Sequence, residues 1–170
     1  MLEILLFSVL IICFITDITR RKIYNKVLFP GVVMAFLLNG ILFGWSGITT
    51  SLLGLLTGFL ILLIPYLIGG MGAGDVKLLA FIGAVQGAGF VLMTALFMAL
   101  IGGVVGLVLI LMRGRMIEGL KRSFRAVKLM KYGIKPELDH DKLLKRTAFP
   151  YGVAIALGAA GAFFYPGVML

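Results

Sequence analysis

The chain has 170 residues, 61% hydrophobic and 14% charged, with a mean hydropathy of +1.13 and a net charge of +9. Soluble domains carry roughly a quarter charged residues, so this composition excludes them and reads as an integral membrane protein. The positive charge sits at the ends of apolar runs without an aromatic and basic nucleic-acid motif, which excludes nucleic acid as a partner and points to anionic lipid headgroups.

Charge-free runs occupy residues 4–16, 27–74, 78–112 and 147–170. A spanning helix needs about 20 mainly apolar residues, so each of the two long runs is expected to be a hairpin. The first span, 2–16, follows an opening Met-Leu-Glu, and the first basic residue is Arg20, which argues for a retained span rather than a cleaved signal peptide. The single cysteine, Cys13, lies within it and is expected to be buried and inert, with neither a disulfide partner nor a CxxC zinc site. The second run breaks between Asn39-Gly40 and Gly44-Trp45-Ser46-Gly47, where turn formers accompany a tryptophan of the interfacial kind, giving spans at 27–44 and 49–68. The third breaks at Gln86-Gly87-Ala88-Gly89, giving 76–87 and 89–112. Twelve residues reach only about 18 Å of a roughly 30 Å core, so the span at 76–87 starts or ends inside the membrane or extends into the preceding glycine segment. A last span covers 148–168.

Basic residues occur in three places: Arg20, Arg21, Lys22 and Lys26; Lys77; and eleven between Arg113 and Arg146. If all three face the cytoplasm, an even number of crossings separates each pair, and six spans meet that condition with the N-terminus outside. The expected fold is therefore an all-α polytopic membrane protein, a single domain over 1–170, with about six transmembrane helices. In the basic loop 113–146, Ile117, Leu120, Phe124, Val127 and Met130 recur at helical spacing opposite Lys121, Arg122, Arg125, Lys128 and Lys131, which predicts an amphipathic helix on the inner leaflet. Small residues four apart, Gly40 and Gly44, Gly54 and Gly58, Gly83 and Gly87, Gly102 and Gly106, and Ala154 and Gly158, predict close helix packing and leave a homo-oligomer open.

Asp75 closes the glycine-rich run Gly69-Gly70-Met71-Gly72-Ala73-Gly74 between two apolar stretches. Ionisable groups near bilayer depth are costly, which makes such a carboxylate a functional-site candidate. Asp17 ends the first span, and the topology brings both carboxylates to the cytoplasmic face from different helices. Such a pair suits acid-base hydrolysis, in which one ionised aspartate activates water while the other, protonated, polarises the carbonyl. Close carboxylates titrate as a coupled pair, and the helix dipoles assign the resting proton to Asp17, against the influence of Arg20, Arg21 and Lys22. Other protease chemistries lack parts. His140 is the single histidine, and Ser8, Ser46 and Ser51 lie on or near the outer side while the lysines lie inside. Asp139-His140-Asp141 reads as a solvated turn in a charged loop, so no metal and no cofactor is expected.

With both aspartates placed, the chain resembles the type IV prepilin peptidases, bacterial and archaeal membrane aspartic proteases with a GxGD motif. The residues that carry the resemblance are Asp17-Ile18-Thr19-Arg20-Arg21-Lys22-Ile23-Tyr24-Asn25, then Gly72-Ala73-Gly74-Asp75-Val76-Lys77-Leu78-Leu79, then Phe149-Pro150-Tyr151-Gly152 opening the last span. The resemblance implies Asp17 and Asp75 as the catalytic pair, supported by Gly72, Gly74 and Lys77. It implies a prepilin or pilin-like substrate cut at the cytoplasmic face of a prokaryotic inner membrane, just before its hydrophobic helix. Tyr24 stands where many members have proline, a difference of backbone stiffness more than of chemistry. Larger members carry an N-terminal CxxC segment and methylate the new pilin N-terminus; this chain begins directly at the first span, so peptidase activity without methyl transfer is expected. Presenilin-like and signal-peptide-peptidase enzymes share GxGD, but their partner motif is Tyr-Asp, and Thr16 precedes Asp17. The competing class is a small proton- or cation-coupled transporter or channel with Asp17 and Asp75 along its pathway, although Gly-Met-Gly-Ala-Gly-Asp has no second copy of the kind repeated transporter halves show. A scaffold protein, with Asp17 a helix-end charge and Gly69 to Gly74 a loop, is the plainer alternative.

Overall fold

A computed structural model describes residues 1–20, 23–68, 70–113 and 151–164. The described residues are all-helical, forming α1 (Leu2–Arg20), α2 (Asn25–Leu67), α3 (Ala73–Arg113) and α4 (Tyr151–Phe163). The amphipathic segment expected around 117–131, the Asp139-His140-Asp141 turn, Arg21, Lys22, Gly69, Phe149 and Pro150 lie outside the described residues. Two compact units result, one of Met1–Ile101 with Pro150–Leu170 and one of Gly102–Phe149, of which only 102–113 is described.

The stretches Leu2–Thr19, Asn25–Leu67 and Ala73–Leu107 are long and apolar enough to cross a membrane; Tyr151–Phe163 is shorter. Drawn straight, the 43 residues of α2 would extend about 65 Å, more than twice a hydrocarbon core of about 30 Å. Gly44 prevents this: its φ of 63° and ψ of −140° lie where a Cβ is strongly disfavoured. The two arms then lie against each other. A side chain at Gly47 would collide with the Asn39 carbonyl, and one at Gly40 would stand 3.3 Å from Ile48 Cγ1. These partners are eight residues apart, which a straight helix would separate by about 12 Å. The sequence placed spans on either side of a loop at 45–48; the reversal instead occupies one glycine, with helical backbone resuming at once.

Gly87, with φ 87° and ψ 178°, does the same for α3. Before it, the first arm runs antiparallel to the second arm of α2, with Gly54 against the Gly83 backbone and Gly58 against Leu79 and Ala80. After it, the second arm lies along α4. Gly158 meets Thr94 and Met98, Gly161 meets the Phe97 ring, and Phe163 lies 5.1 Å from Phe90 and 5.0 Å from Phe7 between ring centroids. Gly54, Gly58, Gly83 and Gly158 thus serve the close approach their spacing predicts, whereas Gly102 and Gly106 face open space. Asn39 adds a polar tie in the apolar interior, its Nδ2 donating to the carbonyls of Ala35, Ala84 and Val85 at 3.1, 3.3 and 3.3 Å.

The first arm of α3 is the core of its unit. From Asp75 to Val85 every residue but Lys77 is buried, and Leu78, Leu79, Phe81 and Ile82 are fully so. Phe81 packs against Gly31 of α2, where Val9 of α1 also arrives. This resolves the shortness read at 76–87. The helix starts earlier, at Ala73, and an element enclosed by protein need not match lipid in length. Large apolar side chains on the surrounding helices, such as Ile4, Phe29, Ile41 and Trp45, are instead exposed, as a lipid-facing surface requires.

Candidate active site

Asp17 sits in the last turn of α1 and Asp75 in the first turn of α3. The helix continues through Asp17 to Arg20, so Asp17 is part of the last turn rather than a cap beyond a span ending at residue 16. Hydroxyl bonds from Thr16 to the Cys13 carbonyl (3.1 Å) and from Thr19 to the Ile15 carbonyl (2.7 Å) flank it within this turn. Cys13, one turn before, is buried as expected.

Both carboxylates are buried, Asp17 at 7% exposure and Asp75 at 8%, although each is at a helix end where water is normally accessible. Each has a neighbour of its own: Asp17 lies against Gly152 of α4, and Asp75 against Gly72. The first turn of α4 meets Asp17: Gly152 packs directly on it, so that a Cβ there would be 2.6 Å from Oδ2.

The glycine-rich segment holds Asp75 by reciprocal bonds. The Asp75 amide donates to the Gly72 carbonyl at 3.1 Å, and the Gly72 amide donates to Asp75 Oδ2 at 3.1 Å. This orients one carboxylate oxygen and satisfies an amide just before the helix, the function of a helix cap. Absence of a side chain at Gly72 leaves room for that oxygen, since a Cβ would come within 3.3 Å of it. Gly74 is needed for a different contact: its Cβ position is 3.0 Å from Ile23 Cβ. Lys77 is exposed and donates from Nζ to Asn25 Oδ1 at 3.1 Å. Gly72, Gly74 and Lys77 therefore each touch a site element, but only Gly72 contacts a carboxylate.

Two further neighbours, Asn25 and Gly152, were visible in the sequence only as parts of motifs. A glycine opening an apolar helix looks like any packing glycine. The signal lay in its sitting at the same membrane end as the carboxylates. Among the described residues, no group of three or more His, Cys, Asp or Glu could hold a metal ion.

A folded-back bundle of lipid-exposed apolar helices with two buried carboxylates defines a multi-pass membrane protein with a candidate acidic site. Residues 4–107, which include both aspartates, match the type IV leader peptidase family. The chain is also 32% identical over 163 residues to the prepilin leader peptidase/N-methyltransferase of Bacillus subtilis (strain 168), an alignment covering 93% of this chain and 53% of that protein. The chain belongs to the type IV leader peptidase family. It spans about half the length of that curated relative. No solved structure matches it significantly.

Proposed function

We propose that this chain is a membrane aspartic endopeptidase that removes the leader from type IV prepilins or pilin-like precursors, with Asp17 and Asp75 as its catalytic pair. The observation that carries this reading is the burial, at helix ends, of two carboxylates 58 positions apart in sequence, in a chain of the leader peptidase family. One aspartate, ionised, takes a proton from water as it attacks the carbonyl carbon. The other, protonated, donates a hydrogen bond to the carbonyl oxygen. The C–N bond then breaks, and the leaving amine takes up a proton as the new carboxylate forms. Gly72 orients Asp75, while Gly152 leaves Asp17 the room it occupies.

The topology that suits this chemistry has six crossings: α1, two arms each of α2 and α3, and α4. Three observations support it: the reversals at Gly44 and Gly87, the antiparallel packing of successive arms, and the confinement of Lys and Arg to three segments that an even number of crossings separates. In this arrangement the acidic pair lies at the cytoplasmic face of a prokaryotic plasma membrane, the N-terminus lies outside, and lipid surrounds the bundle. A prepilin inserted with its leader in the cytoplasm would present the scissile bond at that depth.

The test is cleavage of a co-expressed prepilin, read as a leader-sized loss of mass, by wild type, Asp17→Asn and Asp75→Asn at equal membrane levels. Wild-type cleavage and its loss in both variants are expected. Persistence of cleavage in both variants refutes the two-carboxylate mechanism. Failure of the wild type on every cognate prepilin refutes the peptidase reading and makes proton flux the next assay.

A further inference from the structure

We propose that Asn25 and Lys77 form a clamp that sets the separation of the Asp17 and Asp75 carboxylates, making both of them positioning residues; the proposal rests on the two-aspartate reading above. The bond between them joins the first turn of α2 to the first turn and a half of α3, across 52 positions of sequence. The chain just before α2 touches α3 at a second point, where Ile23 packs on Gly74. The two contacts form a matched set. Gly74 and Lys77 are three residues apart and share a helix face. Ile23 and Asn25 flank Tyr24, whose φ of −84° and ψ of 122° are extended, and side chains two apart along extended chain point the same way. The strip leading into α2 is therefore docked on the start of α3 at two adjacent positions.

That strip follows the helix that carries Asp17, and its docking partner carries Asp75. Lys77 does not face the carboxylate beside it, because residues two apart on a helix point in different directions. It is the one exposed residue between Asp75 and Val85, and its ammonium is engaged with a neutral amide on another helix. A cation whose task was to neutralise Asp75 would be placed otherwise. A tether between the Asp75 helix and α2, the helix packed on the one that carries Asp17, needs what is found: a long side chain at the edge of the central helix, meeting a short one at the start of its neighbour.

The experiment uses the full chain in detergent with a purified type IV prepilin, in the single variants Asn25→Leu and Lys77→Met and the double variant. Each single variant is expected to lower kcat about tenfold or more with KM within about twofold, because misplacing a catalytic group impairs the chemical step more than binding. The double variant should be no worse than the poorer single, and Asn25→Asp and Lys77→Arg, which keep a bond, should retain most of the activity. Independent additive losses, or a raised KM with intact kcat, overturn the clamp.

A second readout does not depend on cleavage. Spin labels at Thr19 and Ala73, both exposed, in a Cys13→Ala background should report one narrow distance distribution, and Asn25→Leu or Lys77→Met should shift or broaden it. An unchanged distribution in both variants overturns the clamp whatever the cleavage assay gives. If the native chain cleaves no prepilin, the peptidase reading fails on its own, and the label distances alone decide the clamp.

Discussion

Replacing Gly152 by alanine probes whether the space around Asp17 belongs to the site. The new Cβ would stand 2.6 Å from Asp17 Oδ2, 3.0 Å from Cγ and 3.2 Å from Cβ, where ordinary contact begins near 3.4 Å. The carboxylate must withdraw by roughly 0.8 Å, by turning within its rotamer well or by α1 and α4 moving apart. Overpacking of this kind costs about 1–3 kcal/mol, and the better helix propensity of alanine offsets up to about 1 kcal/mol of that. Net destabilisation should therefore stay below about 3 kcal/mol, a shift of several degrees in Tm. Catalysis is far less tolerant, because a displacement approaching 1 Å at a reacting group lowers the rate by about 100-fold. Leader cleavage by Gly152→Ala should fall roughly 30- to 100-fold while the protein remains folded. The assay pairs initial cleavage rates at equal membrane levels with thermal unfolding in detergent, and Gly89→Ala is the control because its Cβ would meet nothing within 4 Å. A folded Gly152→Ala variant that cleaves at the wild-type rate would refute the claim that this glycine holds Asp17 in its working position.

Two further expectations concern the scaffold. Gly83→Ala drives a Cβ into the Gly54 backbone, which cannot turn aside as a side chain can, so destabilisation above about 3 kcal/mol is expected, whereas Gly102→Ala meets nothing within 4 Å and should be neutral or slightly stabilising. The check is the yield of folded protein and its unfolding midpoint; equal behaviour of the two variants would contradict it. Asn39→Leu removes a donor shared by three carbonyls on two helices and should cost about 0.6–1.7 kcal/mol, the range of hydrogen bonds between helices in membranes. Unfolding in detergent measures this, and cleavage at permissive temperature should be unchanged because Asn39 lies in the scaffold.

The membrane class and the two reversals were legible in the sequence because they depend on local composition. Uncharged runs too long for one crossing must fold back, and glycine is where a helix reverses most easily. What was not legible was how little chain the reversals need. Gly44 and Gly87 each turn the helix with one left-handed residue, and the arms of α2 close behind the turn because Gly47 lies bare against the Asn39 carbonyl. The short apolar segment after Asp75 was ambiguous for the same reason. Hydropathy measures affinity for an apolar surrounding and does not distinguish lipid from protein, so only the packed structure assigns 75–85 to the middle of its unit.

The sequence by itself determined the membrane class and singled out Asp17, Asp75 and the glycines before Asp75, because a charge or a flexible backbone near bilayer depth stands out against its surroundings. Only the tertiary structure decided that Gly152 of α4 packs on Asp17, and that Asn25 holds Lys77. These contacts join residues from 52 to 135 positions apart, and no local pattern carries that information because the helices meet only when their apolar and small-residue faces pack.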